Sequence, residues 1–396
     1  MDLWMEQGEQ IFMLNTDETL RTLGFPENLI PEMSQEFGMS YALMPDHPEM
    51  LSEGELREMC AFCSLDPMAT EDVLRGADLI RKTPELKAFL WHIVFTLTRW
   101  RTMYNSFPLP EKHMGDLAGT FYLIAHLAAR KIAKARYLAG GYPLEVVQET
   151  LSLADPVTEY RKQTGFAGTS ALGLSWNRRY LTTECFRLGR FEYFIANVAN
   201  QPTVLENRQT SERVILQEDS FEKGVYTGKK VLQKAGITEE KACTFSEKEW
   251  KKILCQGDCV LSMHIPAGGG MTPERSLDSL KRAFAFFRTY FPGKFYPAVV
   301  CKSWIGNPQF LELLPESNIA KLMRNARLFP LPSSGVDGLA FIFGMKTLQQ
   351  YGEDYAKYPH DNSVRRAMLS VLERGDRLRL GGMIFFEDEL DQFVLQ

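Results

Sequence analysis

Apolar residues in the first part of the chain recur at a spacing of three and four, which is typical of amphipathic helices. Thr83 suits an N-cap and Pro84 suits the first helical position, so a helix is predicted from there to Trp100. The sides of this helix next to its apolar stripe are also fairly apolar, which indicates that the helix lies at the centre of the core. The same spacing predicts further helices over 116–139, which Gly140 and Gly141 end, and over 143–154.

The second part of the chain alternates between strand and helix patterns. The apolar run Cys259–Ile265, a helical stripe ending at Phe291, and the run Phe295–Ile305 follow one another. This order predicts a βαβ unit whose two strands are parallel neighbours. Ser246 and Glu249 have the spacing of a capping box and predict a helix start before Trp250. Further strands are predicted over 185–198, 213–216, 338–344 and 378–386, and a further helix over 363–373.

Between these two parts lies the small-residue stretch GFAGTSALGLS, residues 165–175, which breaks both patterns. We therefore predict two domains, an all-helical domain over 1–165 and a mixed α/β sheet domain over 166–396. The fold class is α+β, and the length of 396 residues suits this number of domains.

Composition and charge exclude several classes of partner. The chain is 45% hydrophobic and 24% charged, with a net charge of −5. This charge argues against a nucleic-acid partner, which needs a concentrated basic surface. The N-terminus lacks the pattern of a signal peptide, and the most apolar run is too short and too polar to span a membrane.

The seven cysteines are scattered and odd in number, which favours a reducing cytoplasm over a disulfide framework. Cys60 and Cys63 form the one CxxC pair, and without a second pair at zinc spacing they are interpreted as plain thiols. No His, Asp or Glu cluster has the spacing of a ligand set. We therefore expect no metal.

The stretch HIPAGGGMTPER, residues 264–275, joins a predicted strand to a predicted helix. Thr272 suits the N-cap, Pro273 the first helical position and Glu274 the first turn. A glycine loop before a helix can present its amides to an anion, or it can be a plain connection that needs positive φ. Glu274 argues against a phosphate and Arg275 argues for one, so both interpretations stay open.

Three runs of sequence resemble one family of bacterial acyltransferases, in which a helical N-terminal domain precedes a GNAT-like C-terminal domain. The resemblance is strongest over about residues 175–330 and is specific to this family. The runs are VLSMHIPAGGGMTPERSLDSLKRAFAFFRTYFP, FYPAVVCKSWIGNPQFLELLPESNIAKLMR and LGRFEY.

This resemblance implies a site for acyl-CoA or acetyl-CoA as co-substrate. Cys259–Ile265 would be the fourth GNAT strand, which holds pantetheine along its backbone, and Phe295–Ile305 the fifth strand, which splays away. The chain departs from the GNAT loop pattern because it lacks the leading Arg or Gln and has Pro266 in the turn. The implied CoA-binding residues are Ile265, Ala267, Gly268, Gly269, Gly270, Met271, Thr272, Arg275 and Asn318; Asn318 could instead cap its helix.

His264 ends the strand before the loop and is the first candidate for catalysis. It suits a general base that removes a proton from an amine, and it also suits a packed strand histidine. Glu192 and Arg190 share one face of their strand. They are candidates for a base and a substrate contact, or for a structural ion pair.

Ser303 and Trp304 end a predicted strand, where ligands of open sheets gather, and are candidates for catalysis and substrate binding. The Ser303 hydroxyl could instead bond to the next turn. Cys301 is interpreted as a core residue rather than a nucleophile.

The favoured hypothesis is a cytoplasmic acyltransferase that moves an acyl group from acyl-CoA to an amine of a small molecule. Catalysis would depend on positioning and on backbone amides that polarise the thioester. Two alternatives stay open: a non-catalytic GNAT-shaped module that binds a small molecule or carbohydrate, and a structural or regulatory interaction protein. The acceptor, the acyl length and the oligomeric state do not follow from the sequence.

Overall fold

The computed structural model describes residues 15–99, 107, 110–171, 173–197, 202–233, 236–294 and 296–395. The chain divides into two compact units, Met1–Glu184 and Cys185–Gln396. The first is helical and the second contains both sheets, which confirms the predicted fold class.

The described residues of the first unit form ten α-helices and three 3-10 turns at 49–51, 115–117 and 174–176. The helices predicted from residues 83, 116 and 143 are confirmed as the fifth, seventh and eighth. The helices are α1 Thr16–Thr22, α2 Ile30–Tyr41, α3 Glu53–Phe62, α4 Pro67–Lys82, α5 Pro84–Thr98, α6 Glu111–Met114, α7 Ala118–Ala139, α8 Leu144–Leu151, α9 Ala154–Thr164 and α10 Asn177–Leu181.

Helices α5 and α7 form the centre of this unit, because both bury residues around most of their circumference. Phe89 of α5 stacks on Phe121 of α7 with ring centroids 5.1 Å apart. The helices also bury His92 and His126, which the sequence analysis had not assigned to any site. Such a core is hydrophobic on all sides, as expected for helices that neighbours surround.

The small-residue stretch after residue 165 packs onto the helices of the first unit. The backbone N–H of Ala167 donates to Asp72 Oδ2 at 2.9 Å, and that of Thr169 donates to the Gly119 carbonyl at 3.0 Å. A Cβ on Gly168 would lie 2.7 Å from the backbone of Gly119, so the approach of the two segments needs a glycine at position 168.

The described residues of the second unit form eleven strands and six α-helices, with 3-10 turns at 304–306, 355–357 and 387–392. The strands are β1 Phe186–Leu188, β2 Phe191–Asn197, β3 Thr203–Asn207, β4 Arg213–Glu222, β5 Val225–Leu232, β6 Ile237–Ser246, β7 Trp250–Leu254, β8 Cys259–His264, β9 Ala298–Ser303, β10 Arg327–Leu331 and β11 Leu380–Phe386. The helices are α11 Pro273–Tyr290, α12 Phe310–Leu313, α13 Asn318–Arg324, α14 Leu339–Phe343, α15 Met345–Tyr351 and α16 Ser363–Leu372.

These strands form two sheets. One has the order β1-β2-β8-β9-β11-β10, and the other has the order β6-β5-β4-β3-β7. Strands β8 and β9 are parallel neighbours with α11 between them in sequence, so the predicted βαβ unit is confirmed. The other pairs are antiparallel.

Three predictions in this unit were wrong. The run 185–198 is not one strand but the hairpin β1–β2, because Gly189 adopts φ +78° and turns the chain. The run 338–344 is the helix α14, enclosed by two glycines at positive φ. The residues Ser246 and Glu249 enclose a turn between β6 and β7, in which the Glu249 N–H donates to the Ser246 carbonyl at 3.0 Å.

A close backbone contact fixes the end of β9 against β11. A Cβ on Gly306 would lie 2.6 Å from the Gly381 carbonyl oxygen, and one on Gly381 would lie 2.1 Å from the Gly306 carbonyl oxygen. Neither position has space for a side chain, because backbone cannot move aside as a flexible side chain can. The contact holds the chain that leaves β9 close to the sheet.

Candidate active site

The glycine loop between β8 and α11 is the centre of the candidate site. Thr272 is the N-cap of α11, and its hydroxyl accepts a hydrogen bond from the Arg275 N–H at 3.4 Å. Pro273 is the first helical residue, as the sequence predicted. The loop therefore ends at the positive end of an 18-residue helix, where amides have no intrahelical acceptor.

The amides of the loop are available to a ligand. Within the described residues, the backbone N–H groups of Gly268, Gly269, Gly270 and Met271 donate to no protein acceptor. Gly268 adopts φ +103°, a conformation that residues with a side chain rarely adopt. Consecutive free amides next to a helix N-terminus form an arrangement that binds anions in many proteins.

Two guanidinium groups hold the carbonyls of this loop. Arg190 Nη2 donates to the Gly268 carbonyl at 3.2 Å, and Arg275 Nη1 donates to the Gly270 carbonyl at 3.2 Å. Arg190 is 5% exposed, whereas Arg275 is exposed. The C=O and N–H groups of a trans peptide unit point in opposite directions. Because these carbonyls point at the guanidinium groups, the N–H groups of the same peptide units are directed away from the guanidinium groups.

Asn318 lies beside the loop but does not cap its helix. A Cβ on Gly270 would lie 3.6 Å from Asn318 Nδ2, and Ser317 is the N-cap of α13, with its hydroxyl accepting from the Ala320 N–H at 3.1 Å. The side-chain amide of Asn318 is therefore near the glycine loop.

Glu274 occupies part of the helix N-terminus. The pKa of its carboxyl is lowered, first by a hydrogen bond from its own backbone N–H and then by one from the Thr272 hydroxyl. The side chain is exposed, so it can rotate into solvent. A phosphate bound at the loop would have to displace this carboxylate or tolerate it nearby.

The parallel register between strands β8 and β9 is short. The parallel register joins Leu261 to Val299 and Ser262 to Val300, while β8 continues to His264 and β9 continues to Ser303. The strand ends beyond Ser262 and Val300 have no register with each other. The resemblance implies a splay of the fourth and fifth strands, and a register that stops before the strands end is compatible with that expectation.

His264 lies directly opposite Glu192 in the antiparallel pair β2–β8. Opposite residues of antiparallel strands project from the same face of the sheet. His264 is exposed, whereas Glu192 is 4% exposed and accepts from the Cys185 thiol at 3.8 Å. The structure thus brings the two candidate bases together at the end of β8, next to the loop.

The residues at the end of β9 make structural contacts. The Ser303 hydroxyl accepts from the Ile305 N–H at 3.2 Å, which is the bond to the next turn that the sequence left open. Trp304 packs against Gly338, where a Cβ would lie 2.7 Å from the indole. Cys301 is buried, and burial raises the pKa of its thiol to about 12, so it is not a nucleophile.

Ser279 is a residue of this region that the sequence analysis missed. Its hydroxyl donates to the Leu188 carbonyl at 2.6 Å and lies 3.1 Å from the Phe191 N–H and 2.9 Å from the Tyr193 hydroxyl. It therefore fixes the β1–β2 hairpin, including Arg190, to α11. A serine on the buried face of a helix gives no pattern that would reveal this role.

The remaining His, Cys, Asp and Glu side chains of the described residues are the candidates for ligands of a metal site. Among the residues that the structure describes, no three His, Cys, Asp or Glu side chains cluster as ligands would. All seven cysteines are free, and burial raises the pKa of Cys60 to about 11 and that of Cys63 to about 12. In the described part of the chain, no helix has the length and hydropathy needed to cross a membrane.

Three solved structures have a fold similar to that of this chain. An acyltransferase variant in complex with octanoyl-CoA has a TM-score of 0.64 and 21% identity. An acyltransferase in complex with decanoyl-CoA and teicoplanin has a TM-score of 0.63 and 21% identity. An acyltransferase in complex with CoA and 10C-teicoplanin has a TM-score of 0.64 and 20% identity. Each similarity covers 94% of this chain and 99% of the other.

At this level of identity the similarity concerns the fold. No curated protein sequence matches the chain significantly. The family profile described as the GNAT-like C-terminal domain matches residues 185–384, just over half of the 396 residues. The match begins one residue after the first unit ends and includes β8, the glycine loop and β9. The chain therefore belongs to the family of proteins with a GNAT-like C-terminal domain.

Proposed function

We propose that this protein is an acyltransferase that moves an acyl group from acyl-CoA to an amine of a small molecule. The single observation that supports it most is the row of free amides at 268–271 before α11. These amides suit the pyrophosphate of CoA, and Arg190 and Arg275 hold the loop by its carbonyls, which leaves the amides to the ligand.

The glycine loop fits CoA in spite of the sequence departure. Ile265 stands where the GNAT pattern has Arg or Gln. Arg190 reaches the same loop from the β1–β2 hairpin, and Arg275 reaches it from the first turn of α11. Met271 is buried, and Ala267 and Thr272 delimit the loop. Cations from two neighbouring elements thus hold the loop in shape, although the leading Arg or Gln is missing.

The short register of β8 and β9 supports a place for the pantetheine arm. The backbone of β8 beyond Ser262 is paired with β2 on one side and has no register with β9 on the other. Pantetheine has two amides, which can bond to an extended backbone as a strand would. The solved structures of similar fold contain octanoyl-CoA, decanoyl-CoA or CoA, which supports the same class of co-substrate.

The chemistry that we propose is direct transfer. The amine nitrogen attacks the thioester carbonyl, the C–N bond forms, and the C–S bond breaks to release CoA as a thiol. His264 accepts the proton that the amine loses, and the buried Glu192 opposite it orients the imidazole. Backbone amides of β8 polarise the carbonyl. Ser303 and Trp304 border the acceptor side.

The acceptor in this proposal is a small molecule with an amine. Two of the similar structures contain teicoplanin or 10C-teicoplanin, so this fold is compatible with an acceptor as large as a glycopeptide. With all seven cysteines free, we place the reaction in the cytoplasm.

Ligand-dependent stabilisation of two glycine variants tests the proposal. A Cβ on Gly269 would lie 2.8 Å from Arg275 Nη1, in the middle of the free amides, whereas a Cβ on Gly293 meets nothing within 4 Å. CoA and decanoyl-CoA should raise the Tm of the wild type and of Gly293→Val. Gly269→Val should lose at least tenfold in CoA affinity by calorimetric titration.

Two outcomes would contradict this function. If neither CoA nor acyl-CoA binds the wild type, the protein is better described as a GNAT-shaped binding module, an alternative that the carboxylate of Glu274 at the helix start favours. If Gly269→Val binds CoA as tightly as Gly293→Val, the glycine loop is only a connection. A thiol-release assay with a panel of amines then tests the transfer itself.

A further inference from the structure

The helical unit contains a pocket of about 520 Å³ that the proposed function does not use. It lies between the 3-10 turn at 49–51 and helices α3, α5 and α7. Its walls are mostly apolar and include Met50, Met59, Trp91, Leu127 and Ile132. Small-molecule sites occupy roughly 300–1,000 Å³ and combine apolar walls with a few polar groups, so both the size and the lining are suitable.

The volume of the pocket indicates a ligand larger than a single ring. A protein cavity of about 150 Å³ holds benzene, which has six carbons. A pocket of about 520 Å³ is about three and a half times as large, so an aliphatic chain of about ten carbons with a polar end fits inside it with space left over. Two methionines in the wall adapt to chains of different shape, because the thioether side chain is flexible.

The charged residues in the lining of the pocket are unequally paired. Lys131 Nζ lies 2.9 Å from Glu49 Oε1 and 2.7 Å from Glu55 Oε2, so one ammonium serves both carboxylates. Arg136 Nη1 donates to the Leu181 carbonyl. Within the described residues, no carboxylate lies within ion-pair distance of Arg136, so its charge is the one an anion can reach.

The position of Arg136 on α7 separates it from the two carboxylates. It follows Lys131 by five residues, which places it about 7.5 Å further along the helix and about 140° around it. Glu49 and Glu55 are therefore held at one side by Lys131, and a negative ligand group at Arg136 does not need to approach them.

We propose that this pocket binds an aliphatic carboxylate of about ten carbons, with the chain against the apolar wall and the carboxylate on Arg136. The inference is independent of the acyl transfer proposed above. A free fatty acid and the acyl chain of a thioester share the aliphatic chain, but only the free acid has the carboxylate, so the two sources are separable.

Calorimetric titration with decanoate, butanoate and decanol tests the chain and the head separately. Affinity should rise several-fold per added methylene from butanoate to decanoate, because each methylene leaves water. Trp91, whose Nε1 donates to the Ser40 carbonyl at 2.7 Å, gives a second readout. Its fluorescence should change with decanoate, and Trp91→Phe should remove that change.

Variants that fill the pocket provide the specific test. Ala128→Phe and the more exposed Ala135→Trp both place a large side chain in it and should weaken decanoate binding at least tenfold. Leu138→Phe enlarges an exposed residue of the same helix outside the pocket and is the matched control. All three should keep the wild-type response to CoA, which separates this inference from the proposed function.

The head group is tested by Arg136→Met, which should weaken decanoate binding about tenfold and leave decanol unchanged. Equal binding of decanoate to wild type and to both filled variants would overturn the proposal. So would an affinity that does not depend on chain length. Displacement of decanoate by decanoyl-CoA but not by CoA would assign the pocket to the acyl chain of a thioester and overturn the free acid as occupant.

Discussion

Arg190 Nη2 lies 3.2 Å from the carbonyl oxygen of Gly268, although 78 residues separate them in sequence. The hydrogen bond joins the turn of the β1–β2 hairpin to the loop before α11. Ser279 joins the same hairpin to the body of α11. The position of the free amides therefore depends on the hairpin as well as on the loop itself.

Arg190→Met should weaken CoA binding roughly 10- to 100-fold, because a hydrogen bond to a charged group contributes about 1.5–3 kcal/mol. Calorimetric titration with CoA measures the effect. Arg208→Met is a matched control, since Arg208 is an exposed arginine that donates to the Glu247 carbonyl at 3.1 Å, away from the loop. Equal CoA affinity in the two variants would show that Arg190 does not organise the site.

His264→Gln should lower turnover at neutral pH by about a hundredfold to ten-thousandfold, with little change in acyl-CoA affinity. The reason is that an amine needs a proton acceptor at the end of β8, where His264 projects beside Glu192. The measurement is thiol release with an amine found active for the wild type. If the variant keeps the wild-type rate and pH profile, His264 is structural and Glu192→Gln is the next variant to measure.

The helical unit should lose stability as the pH falls below about 6.5. Burial lowers the pKa of His92 to about 4, and burial together with the charge of Arg130 lowers that of His126 to about 3. Below pH 6.5 the unfolded chain binds protons that the folded unit does not, so folding becomes less favourable. The loss continues down to these two pKa values.

At pH 5.5 the two histidines together should cost about 2–3 kcal/mol relative to pH 7.5. Urea unfolding followed by circular dichroism measures this loss. A variant with both His92→Gln and His126→Gln should have a flatter pH dependence, whereas the exposed His47→Gln should keep the wild-type slope. An unchanged slope in the double variant would assign the pH dependence to other groups.

Two N-terminal fragments should differ in stability. The fragment 1–165 ends where the sequence pattern changes, and the fragment 1–184 ends where the compact unit ends. The longer one keeps the hydrogen bonds of Ala167 to Asp72 and of Thr169 to Gly119, and we expect it to melt several degrees higher. Equal melting temperatures would support a boundary at 165.

Elements with strong local signals could be predicted from the sequence. Thr272 and Pro273 start α11 as expected, and the long apolar stripe of α7 ends at the predicted glycines. Such signals are local because capping and helical periodicity involve residues three or four positions apart. The parallel pairing of β8 and β9 could be predicted from the same elements, because two strands joined by a crossover helix are usually parallel neighbours in one sheet.

Short apolar runs gave the wrong element. Residues 339–343 are continuous and apolar, a pattern that strands and short buried helices share. The helix is favoured over a strand by the positive φ of Gly338 and Gly344, which turn the chain at both ends of the segment. It is also favoured by the close contact between Gly338 and the Trp304 side chain. The strands β5 and β6 were missed because their faces are largely polar and partly exposed.

The candidate site could be located from sequence but not assembled. The glycine loop and His264 are adjacent in the chain, so a single motif contains both. Arg190 and Ser279 act through contacts across about 80–90 residues, 78 for Arg190 with Gly268 and 91 for Ser279 with Leu188. No spacing rule connects such positions. The same is true of Gly306 and Gly381, whose contact exists only after the sheet has formed.

The short register of β8 and β9 leaves the ends of two interior strands without pairing to each other. Strands in a sheet lie about 4.8 Å apart, so one additional extended chain needs about twice that separation. Strands β2 and β11 flank the pair on either side, so the ends of β8 and β9 lie inside the sheet and not at its outer edge. An exposed strand edge normally invites pairing with another protein. Here the unpaired strand ends belong to two interior strands, so they suit a linear ligand better than a folded partner.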